Sequence, residues 1–224
     1  MSRGVLVTGG TRGIGLAVAD AFRALGDNVV ALSSADGDLA DPLAVEEIVG
    51  SAVSTLGAVD VLVNNAAVIL ASPVDEVTYA EWQETWQRTL TVNVLGAANM
   101  SYCVARQMIT RGSGRIINVG SRGAFRGEPK HPAYGASKAA LHSLGQSLAV
   151  SLAPHGIAVA SVAPGFVETE RVGAMLTDEV RGQSPFGRVA KPEEIAAAVV
   201  YLASAEAEWA SGAVLDLNGA SYLR

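Results

Sequence analysis

The stretch "VLVTGGTRGIG", residues 5–15, decides how the rest of the chain is read. Three apolar residues, Val5-Leu6-Val7, run into a loop with glycines at 9, 13 and 15, and "IGLAVADAFRALG" then has helical length and spacing. Without side chains at Gly9, Gly13 and Gly15, backbone amides can approach a pyrophosphate at the positive end of that helix. The spacing is G-x-x-x-G-x-G rather than the commoner G-x-G-x-x-G. Alone, such a loop is also compatible with a plain tight turn. Its place at the first strand-to-helix crossover favours nucleotide binding.

Outward from that loop the same alternation repeats. Val29 to Leu32, Val59 to Val63, Arg115 to Val119, Ile157 to Val162 and Val214 to Leu217 read as further strands. Between them "PLAVEEIVGSAVSTLG", the region 80–111, "AYGASKAALHSLGQSLAVSLAPHG" and "PEEIAAAVVYLAS" read as helices. Continuous apolar strands alternating with helices predict an α/β fold, a doubly wound parallel sheet covered on both faces. With 224 residues and no repeat or linker, residues 1–224 are expected to form one domain. Asp41-Pro42 marks a helix start, an N-cap followed by proline at the first helical position, and Lys191-Pro192-Glu193-Glu194 repeats the proline-then-acid pattern.

Composition excludes some partners. A net charge of -6, with no run of Lys or Arg, argues against nucleic acid. Apolar stretches broken by Gly, Pro or His stop short of the roughly 20 residues of a membrane span. The single Cys103 cannot form an internal disulfide, and "MSRGVLVTGG" enters a strand without a signal-peptide pattern, so a cytoplasmic location is expected. No metal-ligand spacing is present. A small molecule is the expected partner.

"TGGTRGIG", "NNAA" at residues 64–67, "VNVLG" around Asn93, Ser121 followed by "AYGASK", and "PGFVET" occur in order along essentially the whole chain. Together they resemble the short-chain dehydrogenase/reductase family, and "APGFVETE" and "DLNGASYL" are similar in detail to 3-oxoacyl-carrier-protein reductases. The resemblance implies a single Rossmann domain, usually tetrameric, that binds NAD or NADP. It also implies a glycine-loop contact set of Gly9, Thr11, Arg12, Gly13, Ile14 and Gly15. Asn64, Asn65, Ala66 and Ala67 would follow at the end of the strand 59–63, then Pro164, Gly165, Val167 and Thr169, the last reaching the nicotinamide carboxamide. Asp38 and Leu39 resemble the pair that holds the adenine. Ala67 in place of glycine, and Asn218-Gly219-Ala220 in place of Asp-Gly-Gly, are small departures at turns.

Which nucleotide is favoured turns on "NVVALSSADGDLAD", residues 28–41. An acidic residue about 20 positions past the glycines accepts hydrogen bonds from the adenosine ribose and repels a 2′-phosphate. Here the place falls on Ser33 and Ser34, with Arg12 as a facing cation, so NADP(H) is preferred. NAD(H) stays possible if Asp36 curls back to the ribose. Family members carry a helix and a strand in this stretch; only Ala35-Asp36-Gly37 stands here. A shortened region after the second strand is therefore expected, leaving the adenine side more open.

Tyr134 and Lys138 lie four apart, on one face of a helix, where the ammonium favours the phenolate and makes Tyr134 a usable acid or base. In the family pattern Ser121 polarises the carbonyl, Lys138 also holds the nicotinamide ribose, and Asn93 holds a water on the proton relay. An NADP(H)-dependent ketone/secondary-alcohol oxidoreductase is the expected function, with a 3-oxoacyl compound among the possible substrates. Alternatives are an NAD-dependent alcohol or diol dehydrogenase, a cofactor-free dehalogenase on the same fold, and a non-catalytic NADP-sensing regulator.

Substrate selection is expected from the loop after Ser121, with Arg122, Arg126, Lys130 and His131, and from a lid at about 168–188 that includes Met175, Leu176 and Phe186. The basic loop is read either as an attractor for an anionic substrate or as a solvated rim. Trp82 and Trp86, in a helix about one turn longer than usual before Asn93, are read as packing or interface residues. The helices at 96–111 and 134–153 resemble the pair that builds the family's intersubunit bundle, so a homodimer or homotetramer is expected.

Overall fold

The fold is taken from a computed structural model that describes residues 2–170, 172–173 and 176–224. Met175, named above in the lid, lies outside the described residues. Among the described residues there are six strands: β1 (Gly4–Val7), β2 (Asn28–Ala31), β3 (Val61–Asn64), β4 (Gly114–Val119), β5 (Ile157–Pro164) and β6 (Val214–Leu217). They form one sheet in the order β2-β1-β3-β4-β5-β6, every pair parallel. The chain leaves β1 to one side for β2, then returns across it to β3. That reversal opens a crevice at the carboxyl ends of β1 and β3, where this class of sheet binds its ligands.

Among the described residues seven helices cover the faces: α1 (Gly13–Ala24), α2 (Pro42–Leu56), α3 (Tyr79–Leu90), α4 (Ala97–Arg111), α5 (Pro132–Leu152), α6 (Asp178–Gly182) and α7 (Pro192–Leu202). Successive strand residues point to opposite faces, which divides the core in two. Val5, Val7, Val61 and Val63 pack with Phe22 of α1 and Val199 of α7. Leu6, Leu62 and Ile116 pack on the other face with Ile48 of α2 and with Met100, Val104 and Met108 of α4. The inner strands β1, β3 and β5 are buried along their whole length, whereas β2 and β6 are partly exposed edges. The shortened region after the second strand thus leaves β2 as an edge, where a further strand would otherwise pair.

Local chemistry sets the helix starts. Asp41 accepts the Leu43 N–H at 2.9 Å ahead of Pro42, and the Glu194 carboxylate accepts the Lys191 N–H at 2.7 Å. The region 80–111 is not one continuous helix: a wider π turn, Thr91–Gly96, separates α3 from α4. Inside it the Asn93 side chain clasps Val68, accepting its N–H at 2.8 Å and donating to its carbonyl at 3.0 Å. Gly96 then packs on Leu39, whose carbonyl oxygen would lie 2.9 Å from a β-carbon there. π-bulges of this kind concentrate at functional sites.

Candidate active site

The glycine loop is shaped for close approach. Gly9 and Gly13 have φ of +62° and +53°, and a β-carbon on Gly15 would lie 2.1 Å from the Gly9 carbonyl oxygen. Thr8, which sequence reading passed over, ties this loop to the end of β3. Its hydroxyl accepts the N–H groups of Asn65 and Ala66, both at 3.0 Å, and donates to the Val63 carbonyl. Its only sequence signal is a polar residue ending an apolar strand. The Asn65 amide donates to the carbonyls of Thr8 and Gly9, so that side chain serves the loop. Asn64 departs from its expected place: its side chain is buried between Ser101 and Asn118, away from the crevice.

Thr11 and Arg12 are exposed at the crevice rim, and Ile14 packs partly into the core beneath α1. Thr169 lies against the start of α1, its methyl 3.2 Å from where a Gly13 β-carbon would stand. Pro164 ends β5, Gly165 fits against Asn218, and Val167 is buried in a bridge to Ala190. Ala66 and Ala67 line the chain just past β3, half-buried. The loop, β3 and the Pro164–Thr169 segment therefore meet around the crevice.

At its outer end the Asp36 carboxylate turns back onto Ser33, accepting its N–H at 2.7 Å and its hydroxyl at 2.9 Å. Those two bonds, backbone first, hold the exposed carboxyl below the usual carboxylate range. Ser34 stays exposed beside it. Asp38 is not free for adenine alone: Arg88 of α3 forks it at 2.8 and 3.3 Å, and Ala40 N–H bonds it at 3.0 Å. The Arg88 hydrogen bond is the main cause of the lowered Asp38 pKa. Arg88 reaches Asp38 from 50 positions further along the chain. No local sequence signal marks it.

The four catalytic candidates gather around the end of β4 and the start of α5. Lys138 is 2% exposed; its ammonium donates to the Val119 carbonyl at 2.8 Å and stands 5.7 Å from the centre of the Tyr134 ring. Ser121 follows β4 by two residues, its hydroxyl oxygen accepting the Gly123 N–H at 3.0 Å. Asn93 donates to Ser137 at 3.0 Å, and the Ser137 hydroxyl donates to the Tyr134 carbonyl at 2.7 Å. Ser137, fully buried and unanticipated, thus couples the π turn to the helix that carries Tyr134 and Lys138.

Beneath Ser121 sits His142, one turn past Lys138. Its ring fills the space that a Gly120 side chain would take, and it stacks on Phe125 with centroids 5.3 Å apart. Neither ring nitrogen has a hydrogen bond of ordinary geometry, and burial pushes its pKa down to about 4. Arg224 lies over the Phe125 ring as well, 3.9 Å from its centre.

The basic loop is divided: Lys130 is exposed, Arg126 and His131 are half-buried, and Arg122 is buried. Arg122 is 3% exposed and turned under the loop rather than out to solvent. It lies 5.0 Å over the Phe166 ring and donates to Ser221 and Gln183. Trp82 and Trp86 lie side by side on α3, ring centroids 5.5 Å apart and planes tilted by 43°. Among the described residues no cluster of three or more His, Cys, Asp or Glu side chains is placed to hold a metal ion, and no helix is long and apolar enough to cross a membrane.

A family model described as enoyl-(acyl carrier protein) reductase matches residues 33–219. The chain is 34% identical to the acetoacetyl-CoA reductase of Shinella zoogloeoides, over 99% of both chains. It is also 34% identical to the 3-oxoacyl-[acyl-carrier-protein] reductase of Escherichia coli strain K12, over 97% of this chain and 96% of that one. Among solved structures, ElxO with NADP bound superposes with a TM-score of 0.90 at 26% identity over 99% of both chains. The aldohexose dehydrogenase of Thermoplasma acidophilum, ligand-free, does so with a TM-score of 0.90 at 28% identity, over all of this chain and 95% of that one. The chain belongs to the short-chain dehydrogenase/reductase family. It is an NAD(P)-dependent oxidoreductase on a Rossmann fold.

Proposed function

We propose that this enzyme uses NADP(H) to interconvert a ketone and a secondary alcohol through Asn93, Ser121, Tyr134 and Lys138, with a 3-oxoacyl compound as the substrate class. The observation that carries the reading is the buried Lys138 ammonium, held on the Val119 carbonyl at the end of β4 and 5.7 Å from the Tyr134 ring centre, with Asn93 tied to the same helix through Ser137. The relatives that act on acetoacetyl-CoA and 3-oxoacyl groups support the substrate class.

The dinucleotide would be received by a loop that glycines keep tightly folded: Gly9 and Gly13 have positive φ, and Gly15 packs directly on the Gly9 carbonyl. Thr11, Arg12 and Ile14 would flank its pyrophosphate, Ala66 and Ala67 the adenosine side, and Pro164, Gly165, Val167 and Thr169 the nicotinamide. When bound, it supplies hydride to the carbonyl carbon or accepts it from the alcohol. In reduction Tyr134 donates its phenolic proton to the oxygen as negative charge develops there. Ser121 hydrogen-bonds the same oxygen. Lys138, fixed by the Val119 carbonyl, stabilises the phenolate left behind, and the proton is restored along the Lys138–Asn93 side. Oxidation runs these transfers backwards.

Arg12 and Ser34, exposed at the adenosine end, and the NADP-bound neighbour support NADP(H). One observation favours NAD(H) and an alcohol or diol dehydrogenase instead: the Asp36 carboxylate stands on Ser33 where a 2′-phosphate would be received. The whole chain, including the segment 168–188 as substrate lid, is taken as one working unit. Exposed Tyr102 on α4 and Val150 on α5 support assembly through those helices into a dimer or tetramer. A cytoplasmic location belongs to the same reading.

The test is Tyr134→Phe with a carbonyl panel, followed with NADPH and again with NADH. Turnover should fall at least about 100-fold while cofactor binding holds, the scale of losing a general acid. Full turnover by the variant would sink the proposed acid/base. Oxidation of NADPH by any carbonyl would dismiss a purely sensory role.

A further inference from the structure

Ser121 has extended backbone, with φ -167° and ψ 151°, so the next side chain points to the opposite face. Arg122 therefore runs beneath the loop into a cavity of about 230 Å³ under α6. Its partners there are all neutral. One terminal nitrogen donates to the Ser221 hydroxyl at 2.5 Å, the other to the Gln183 amide oxygen at 2.7 Å, and the plane lies over Phe166. Arg126 brings a second guanidinium to the same Gln183 oxygen at 3.1 Å. The ion pairs among the described residues do not include Arg122.

A buried cation is costly unless paired. The lining carboxylate, Glu194, is already engaged: it forks Arg188 with two bonds of 2.7 Å and accepts the Lys191 N–H. Of the cavity's two cations, Arg188 is paired with Glu194, and Arg122 has no ion pair among the described residues and is offset only in part by Glu128. The Arg122 guanidinium converges with a second on a single neutral oxygen, an arrangement that suits the two oxygens of a carboxylate better than an amide. The remaining wall is largely apolar, with Phe166, Val189, Ile195 and Leu217, and the volume is below the range of drug-sized sites.

We propose that this cavity is a receptor for a short-chain aliphatic carboxylate, held by Arg122 with Arg126 after the Gln183 amide is displaced. Burial, and then repulsion from Arg126, push the Arg122 guanidinium below its ordinary pKa, with Glu128 partly offsetting; an incoming anion relieves the second of these. The carboxylate can come from the substrate itself or from a separate small ligand.

Butyrate and its neutral isostere butyramide, titrated against the full chain and followed by thermal unfolding, test the receptor. Butyrate should raise Tm by roughly 2 °C or more over butyramide at saturation. Arg122→Gln should abolish that difference. Because this variant can fail to fold for want of its buried network, Gln183→Glu is the second arm. A built-in carboxylate facing both guanidiniums should raise Tm without ligand and abolish the response to butyrate. Equal shifts with the two probes in the unsubstituted protein would overturn the proposal, as would a Gln183→Glu protein that is less stable and still responds to butyrate.

The source is read from turnover with NADPH. A preference for acetoacetate over methyl acetoacetate of at least about tenfold in kcat/KM, lost in Gln183→Glu, assigns the carboxylate to the substrate. Butyrate binding that leaves turnover of a neutral ketone unchanged assigns it to a separate ligand. The thermal measurement needs no turnover, so its failure is distinguishable from failure of the reductase reading.

Discussion

Replacing Asp36 by asparagine should move cofactor selectivity toward NADPH, by roughly tenfold. In the free protein the Asp36 carboxylate accepts two hydrogen bonds from Ser33, which keep it ionised throughout the neutral range. A 2′-phosphate brings about 1.5 to 2 negative charges to the same place. At about 5 Å in water-like dielectric each pair of unit charges repels by roughly 0.8 kcal/mol, and physiological salt about halves this. The screened repulsion comes to roughly 0.7–0.9 kcal/mol. Loss of one exposed hydrogen bond as the carboxylate swings away adds about 0.5 kcal/mol. Together these give about 1.3 kcal/mol, close to a factor of ten. The assay is the ratio of kcat/KM for NADPH to that for NADH, measured for both proteins with one carbonyl substrate. The effect should shrink when salt is raised to about 0.5 M, because the Debye length then falls to roughly 4 Å. A ratio that changes by less than about twofold, or moves toward NADH, would refute the placement of the phosphate beside Ser33.

Gly15→Ala should destabilise the protein by about 1–3 kcal/mol and weaken cofactor binding, because the new carbon meets backbone 2.1 Å away; urea unfolding and NADPH fluorescence report the two effects. Gly50→Ala in α2 is the control: nothing lies within 4 Å of its β-carbon, so it should stabilise by roughly 0.5–1 kcal/mol in the same urea assay. Arg88→Leu should raise the cofactor KM about threefold with kcat unchanged, a small effect because the Asp38 pair is half exposed; steady-state kinetics with the cofactor varied decides it. His142, neutral when folded, has a pKa lowered from 6.5 to about 4, so the unfolded chain binds its proton first as pH falls. Its contribution is fully present above pH 6.5 and declines toward pH 4, a loss of about 3 kcal/mol. Lys138 and Arg224 oppose its charge and Asp216 favours it. Urea unfolding of His142→Leu should show a flatter pH dependence across that window.

Much of the scaffold was legible along the chain because its causes are local. Continuous apolar runs place the strands within two residues of where they stand, and Asp41-Pro42 caps α2 as its chemistry requires. Tyr134 and Lys138 share a helix face through spacing alone, and the glycines at 9, 13 and 15 mark the crevice before any partner is known. The short link after β2 is equally visible, because Ala35-Asp36-Gly37 has no room for a helix.

What only the tertiary structure decided are the pairings between residues far apart in sequence. Arg88 of α3 meets Asp38 across 50 positions, a pairing that no local pattern announces. Thr8 knots the glycine loop to β3, and Ser137 joins Asn93 to Tyr134, through hydroxyls that no periodicity distinguishes from ordinary ones. The π turn at Thr91–Gly96 interrupts a pattern that reads as unbroken helix, since Asn93 and Gly96 answer to Val68 and Leu39 rather than to their own neighbours. Arg122 shows the division most plainly: a charge in a basic loop reads as a solvated rim or an anion attractor, yet in the fold it is buried against Phe166 and Gln183. Hydrophobic period and turn chemistry act over a few residues and are written in the chain; the burial and partner of a polar side chain depend on what the fold brings against it.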